Sequence, residues 1–197
     1  IEVHDAITPI ETGDVMKKYN IEWNYPWDGV QLDIPTGLKK SAYRTEDPLA
    51  RIACALSHYE LWLKCAEGEA LMVLEHDARF MHKVPYETIL DTKFNIIGLN
   101  DPIGATRRAR QFHDRVQNAT KIITPVPNID SFDIPQGLAG NSAYIIKPAG
   151  AKALLQAVKD YGLWPNDAIM CKQLIKKMGV TKKYYTVVQG LPSTTTE

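Results

Sequence analysis

Two acids one residue apart, Glu75 and Asp77, close the apolar run Leu71-Met-Val-Leu74. Carboxylates are hard oxygen ligands, and a pair at i and i+2 where a chain leaves a sheet can hold Mn²⁺ or Mg²⁺. Such a cation can bridge to a diphosphate and offset the charge that builds on a departing phosphate. The plainer reading is a solvated strand end with two acids by chance, and spacing alone does not choose between them. His76, between the acids, fits a ligand, a hydrogen-bonding spacer or an exposed residue.

Other residues invite the same weighing. Asp167 follows Trp164-Pro165-Asn166. It either caps a helix by satisfying free N–H groups or serves as general base for an acceptor hydroxyl. Ser57-His58 lies inside a strong helical pattern. Adjacent helical residues point in different directions, which argues against a Ser–His nucleophile pair, and a lone helical His is more often a satisfied structural one. Gly137-Leu-Ala-Gly-Asn-Ser142 lets backbone approach a ligand, or simply turns. Arg107, Arg108 and Arg110 suit a phosphate or acidic acceptor, or a solvated basic face. Trp23, Tyr25 and Trp27 alternate, as a cover for the core or as an aromatic wall for a sugar or base.

The elements that must position these residues come next. Asp47 is a good N-cap and Pro48 suits the first helical position. Leu49, Ile52, Leu56, Tyr59 and Leu63 then recur at helical spacing, and Gly68 suits a stop. Short apolar runs at Leu71–Leu74, Phe94–Leu99 and Ala143–Ile146 read as strands buried on both faces, with further strands at Ile1–His4 and Tyr184–Val188. Helices are expected near Gly13–Asn20, from Pro148 through Val158, and over Asp167–Met178. Residues 101–139 show no sustained periodicity. Strands alternating with amphipathic helices indicate an α/β fold with a largely parallel sheet. Ligands in such sheets bind beyond the carboxyl ends of the strands, which selects Glu75–Asp77, Asn100–Gly104 and the segment near Gly190.

Bulk properties narrow the class. The 197 residues suit one domain, and 45% apolar residues supply a real core. Basic and acidic residues balance at 23 each, which disfavours nucleic acid as the main partner. Three cysteines without CxxC spacing argue against a disulfide framework or a structural zinc site and favour a reducing, cytoplasmic setting. No apolar run reaches the roughly 18 residues of a membrane span. The sequence starts at Ile1 without a signal pattern, and the expectation is a domain over 1–197 lacking its true start.

Three blocks, in order, resemble glycosyltransferase family 25, the lipopolysaccharide and collagen galactosyltransferases. Arg51-Ile-Ala-Cys-Ala-Leu-Ser-His-Tyr-Glu-Leu-Trp62 is similar to the family's Cys-Ala-Leu-Ser-His helix. Leu71-Met-Val-Leu-Glu-His-Asp-Ala78 is similar to its strand ending in Glu-Asp-Asp, with His76 replacing the middle acid. Gly140-Asn-Ser-Ala-Tyr-Ile-Ile-Lys-Pro-Ala-Gly-Ala151 is similar to its Ala-Tyr-Ile strand and following helix. Weaker echoes are Phe94–Leu99, Pro165-Asn-Asp167, and Gln189 with Ser193. The opening residues are similar to the segment after the family's first strand and helix, so those elements are expected to precede Ile1.

The resemblance implies a GT-A-type nucleotide-sugar fold and an inverting transfer from a UDP-sugar, usually UDP-galactose; with the strand-end acids it gives the expectation of a metal-dependent transfer of a hexose, galactose foremost, to a saccharide or other hydroxyl acceptor. Asp77 is then the direct Mn²⁺ or Mg²⁺ ligand, with Glu75 reaching the metal through water or contacting the donor ribose. Asp167 is the base, and Ser57, His58, Asn100 and Asn141 are donor or acceptor contacts. The rival readings are a non-catalytic binding module for sugars or nucleotide sugars, and a metal-dependent phosphoesterase.

Overall fold

The computed structural model describes residues 2–105 and 108–190. Ile1, Arg107 and Ser193, which figure in the expectations above, lie outside the described residues. In chain order the regular elements are a 3₁₀ turn (Pro9–Glu11), α1 (Thr12–Tyr19), β1 (Val30–Asp33), β2 (Leu38–Ser41), α2 (Pro48–Glu67), β3 (Leu71–Leu74), β4 (Ala78–Phe80), α3 (Tyr86–Leu90), β5 (Ile96–Gly98), α4 (Ala109–Gln117), β6 (Ile123–Pro125), β7 (Ala143–Ile146), α5 (Pro148–Tyr161), α6 (Asn166–Ile169), β8 (Met178–Thr181) and β9 (Thr186–Val188). No described helix is long and apolar enough to cross a membrane.

The protein is mixed α/β. Its central sheet has five strands in the order β3-β7-β5-β8-β6. Only β5 and β8 run parallel, while β3–β7, β5–β7 and β6–β8 are antiparallel. The expectation of a largely parallel sheet is therefore corrected. Continuous apolar runs report burial on both faces, and an antiparallel strand covered on both sides produces the same run. Along β7 the faces alternate: Tyr144 and Ile146 enter the larger core cluster, and Ala143 and Ile145 enter the smaller one with Ile89, Phe94 and Tyr185.

Helix α2 starts where the sequence indicates, with the Asp47 carboxylate accepting from Leu49 N at 2.9 Å. Its buried line is broader than the Leu49–Leu63 stripe and runs through Arg51, Ala55, His58, Trp62 and Cys65 as well as Ile52 and Leu56. Helix α5 rests directly on β5, since a Cβ on Gly150 would stand 2.8 Å from Asn95 O.

Three further expectations change. Residues 2–8 form no strand. The segment 101–139 holds α4, whose Ala109, Phe112 and Val116 are buried at helical spacing, and β6. The helix expected over Asp167–Met178 is only α6, followed by turns and β8. In that stretch the side chains of Gln173 and Gln136 bind backbone across the chain, at 3.0 Å from Gln136 N to Gln173 Oε1 and 2.8 Å from Ile129 N to Gln136 Oε1. Cross-chain bonds of this kind replace the helical ladder. Cys54, Cys65 and Cys171 are all free.

The β1–β2 hairpin is pinned by a buried ion pair. Lys40 Nζ lies 2.7 Å from Asp33 Oδ1, donates to Asn24 O at 2.8 Å and stands 4.8 Å above the Trp164 ring. The contact locks the hairpin to the segment that leads into Asp167. Burial works against the Asp33 carboxylate, yet its bonds from Lys40 and Thr36 prevail and hold its pKa below the ordinary value. A lowered folded pKa contributes stability above the unfolded pKa that is lost as pH falls through the folded one. Asp33→Asn leaves a buried lysine charge unpaired and is expected to cost about 3–5 kcal/mol at pH 7. In urea unfolding the gap from wild type should begin to shrink as pH falls past the ordinary Asp value of about 3.9 and close only below the lower folded value. A gap unchanged between pH 7 and pH 3 rules out the ion pair as its source.

Candidate active site

Strand direction brings the acids, the glycine-rich loop and the C-terminal strand to one edge of the sheet. β3 and β5 end there, and β7, antiparallel to both, begins there. Glu75 N donates to Ser142 O at 2.8 Å, and Leu99 N to Ala143 O at 3.0 Å. Asn100 bridges Thr186, and Gln189 N donates to Asp77 O at 2.9 Å. The three places selected by the strand-end rule thus form one region.

Within it, Glu75 is turned into the protein. Its Oε1 lies 3.1 Å from His58 Nε2, and His58 Nδ1 lies 2.8 Å from the Tyr144 hydroxyl, which accepts from Trp62 Nε1 at 3.1 Å. A carboxylate only accepts, so Nε2 carries a proton in the neutral and the charged imidazole alike. Trp62 only donates, so in the neutral form the Tyr144 O–H donates onward to Nδ1. Burial opposes the imidazolium, but Tyr144, Cys54 and the Glu75 carboxylate outweigh it and hold the His58 pKa well above its usual value. The chain Trp62–Tyr144–His58–Glu75 joins α2, β7 and the end of β3.

Asp167 faces the same place. Burial pushes its carboxyl pKa up, the Arg51 guanidinium pulls it down, the Glu75 carboxylate raises it again and the Tyr43 hydroxyl lowers it by a hydrogen bond. Tyr43 and Tyr25 stack at 5.7 Å, and Arg51 sits 5.0 Å above Tyr43. Burial and the Asp167 charge raise both tyrosine hydroxyls. A half-buried carboxyl whose pKa is raised, beside a second acid and a cation, has electrostatics that suit a proton-transfer group.

A second set of polar groups lacks partners. Asp77 Oδ1, Ser142 Oγ, Thr186 Oγ1 and both amide atoms of Asn141 are buried without a hydrogen bond. Buried polar atoms almost always find partners, so such a set indicates a ligand or ordered water. Asn100 Nδ2 donates to Ala139 O at 3.0 Å and to Asp101 O at 3.2 Å, clamping the loop before β7. Gly140, at φ +84°, permits that clamp, because its Cβ would stand 3.1 Å from Asn100 Nδ2.

The residues singled out from sequence therefore separate. His58, Glu75 and Asp167 share one electrostatic neighbourhood. Asp77 and Asn141 offer unpartnered atoms at the strand ends. Ser57 is occupied, accepting from Ile7 N at 2.9 Å and donating to Ala53 O at 2.8 Å. His76 is exposed in a turn. Arg108 donates to Ile129 O at 2.6 Å and bridges Asp130, while Arg110 is exposed. Trp23 and Trp27 stack at 4.9 Å, and Tyr25 alone of that trio reaches the acids' neighbourhood. Sequence reading missed Arg51, Cys54, Tyr43, Trp62 and Tyr144. Arg51, Cys54 and His58 recur at three- and four-residue steps, a signal that was available.

The metal expectation meets this geometry in part. Among the described residues, the ligand-type side chains that gather in a group of three are Cys54, His58 and Glu75. Asp77 stands outside that group, but its buried free oxygen suits a hard divalent cation.

A family model described as Glycosyltransferase family 25 (LPS biosynthesis protein) matches residues 2–170. The chain belongs to glycosyltransferase family 25. It is a hexosyltransferase, and the matched span of this family 25 enzyme takes in α2, the β3 acids, β7 and Asp167. Among curated proteins, none matches the chain.

The polar chain that joins α2, β7 and β3 rests on the Tyr144 hydroxyl. Tyr144→Phe keeps the ring but leaves buried Trp62 Nε1 without its acceptor, at an expected cost of about 1–3 kcal/mol. Denaturant unfolding against wild type measures it, and an unchanged midpoint with unchanged slope means the Trp62–Tyr144 bond adds nothing.

Proposed function

We propose that the enzyme transfers a hexose, galactose foremost, from a UDP-sugar to a hydroxyl of a saccharide acceptor with inversion at the anomeric carbon, in a GT-A-type arrangement. The observation that carries this reading is the Asp167 carboxyl, raised in pKa by burial and standing near Glu75 at the end of β3. A glycosyl acceptor must lose a proton as its oxygen attacks, and a base with a raised pKa takes that proton more readily.

In the step, Asp167 accepts the hydroxyl proton while the acceptor oxygen bonds to the anomeric carbon. The bond from that carbon to the donor diphosphate breaks, and its electron pair leaves with UDP. Arg51 and Tyr43 keep the Asp167 carboxylate oriented and partly compensated. Glu75 is fixed by His58, so its other oxygen is available to the donor ribose. Asn141 supplies an unpartnered amide, able to donate and accept, to donor or acceptor hydroxyls. Asn100 acts by clamping the loop that carries Asn141. Asp77 would hold Mn²⁺ or Mg²⁺, which when bound supplies charge compensation to the diphosphate.

The deciding experiment follows UDP-galactose with saccharide acceptors by proton NMR of the new linkage. A β-linked product from the α-linked donor is expected, and an α-linked product overturns inversion. In the same assay Asp167→Asn should lose about 10²–10⁴-fold in kcat while still binding donor. Because the base works deprotonated, the wild-type rate should climb as pH rises through a value above that of a free aspartate. Loss of donor binding in Asp167→Asn would instead make that residue a donor contact.

Asp77→Ala tests the cation role separately. Loss of Mn²⁺-dependent turnover with an unchanged unfolding midpoint is expected, and retained turnover removes Asp77 from that role.

A further inference from the structure

The ligand atoms of Cys54, His58 and Glu75 lie within 4.8 Å of one another. Cys54 and His58 are four residues apart on α2 and so share a face, while Glu75 arrives from the end of β3. The group is not sealed: the Glu75 side chain is 32% exposed and Cys54 is half-buried. Asn166 Oδ1 lies 3.8 Å from Cys54 Sγ, a neutral oxygen at the rim of the same group.

We propose that Cys54, His58 and Glu75 form a binding site for a thiophilic divalent cation of the Zn²⁺ class, distinct from the hard-cation role of Asp77. A sulfur, an imidazole nitrogen and one carboxylate oxygen are the donor types that select Zn²⁺ or Co²⁺ over Mg²⁺. Ligand atoms around a tetrahedral zinc stand roughly 3.3–3.8 Å apart, given bonds of about 2.0–2.3 Å. The pair His58 Nε2 and Glu75 Oε1, at 3.1 Å, stands just short of that spacing and has only to open slightly. The Cys54 thiol has to close in by a rotamer adjustment.

The protons balance. Binding converts the Cys54 S–H to thiolate, and that proton goes to solvent. His58 must present a bare Nε2, so the imidazolium also gives that proton to solvent and keeps its Nδ1–H, which donates to the Tyr144 oxygen. Tyr144, held by Trp62, then plays the orienting part that an outer hydrogen-bond partner plays for a metal-bound histidine. Three protein ligands leave the fourth position open on the exposed side. A cation here draws Glu75 away from the donor, so it should inhibit transfer; that consequence alone rests on the function proposed above.

The test is a Co²⁺ titration of the metal-free full chain, followed by absorption. Wild type should show tetrahedral cobalt bands and a thiolate-to-cobalt charge-transfer band saturating at one ion per chain, bleached by added Zn²⁺. Cys54→Ser should abolish the charge-transfer band. Glu75→Gln, which retains the thiol, should keep the band and weaken binding about tenfold or more. Asp77→Asn should leave band and affinity unchanged. No thiolate band in wild type, a band that survives Cys54→Ser, or a band lost in Asp77→Asn each overturns the site. These readouts do not depend on glycosyl transfer, so failure of the site and failure of the proposed function are separable.

Discussion

The contact between His58 Nε2 and Glu75 Oε1 is the constraint on which the rest of the site depends. A carboxylate where a strand leaves its sheet would ordinarily point to water. Here an N–H donor on α2 turns it inward, and α2 can offer that donor only because Tyr144 and Trp62 fix the imidazole from behind. The chain of bonds is buried from Trp62 through His58 and reaches the surface only at Glu75, and in its buried part each bond is stronger and each missing partner costs more than in water. It therefore helps to set the separation between α2 and the sheet. Once Glu75 is held there, its charge is felt at Asp167, and the two acids are no longer independent.

That coupling explains why so many aromatic and cationic groups collect nearby. Two carboxyls in a partly dry space repel, and one of them must lose acidity or gain a counter-charge. Asp167 does both: its pKa rises through burial and Glu75, and Arg51 limits the rise. Arg51 is in turn positioned by Thr45, which its Nε meets at 2.7 Å, and by the Tyr43 ring. Tyr25 and Tyr43 flank the β1–β2 hairpin, so the Lys40–Asp33 pair on that hairpin reaches the chemistry through them. A buried ion pair seldom adds much net stability. Its service here is registration: it fixes how the hairpin meets Trp164, three residues before Asp167.

Much of this was legible in the sequence and some could not be. The start of α2 was readable because Asp47 and Pro48 are local signals that act on adjacent backbone. The strands β3 and β7 were readable from unbroken apolar runs. Strand direction was not, because burial on both faces is common to parallel and antiparallel strands that are covered twice. The stretch after Asp167 was misread as helix because Ala168, Ile169, Met170 and Ile175 are apolar in any conformation, and the bonds that unwind it come from Gln136, far away in sequence. For the candidate site, Glu75, Asp77 and Asp167 were singled out by residue type and place, and His58 through the resemblance. The inward turn of Glu75 was not, since it depends on Tyr144, 69 positions further along the chain.

The antiparallel run of β7 has a functional meaning of its own. In an all-parallel sheet the loop before a strand lies at the edge opposite the strand ends, far from their ligands. Because β7 runs against β3 and β5, its leading loop Gly137–Ser142 falls beside Glu75 and Asn100 instead. Such proximity demands residues without bulk. A Cβ on Gly137 would stand 2.3 Å from Met170 O, and Gly140 takes a positive φ against Asn100 and Ala105. The glycines let backbone crowd the strand ends, and the crowding buries Asn141 with both amide atoms unspent. An amide held ready in this way, next to a carboxylate fixed by His58, gives the candidate site donors and acceptors that are already in place. Such preorganisation lowers the ordering that binding must otherwise impose.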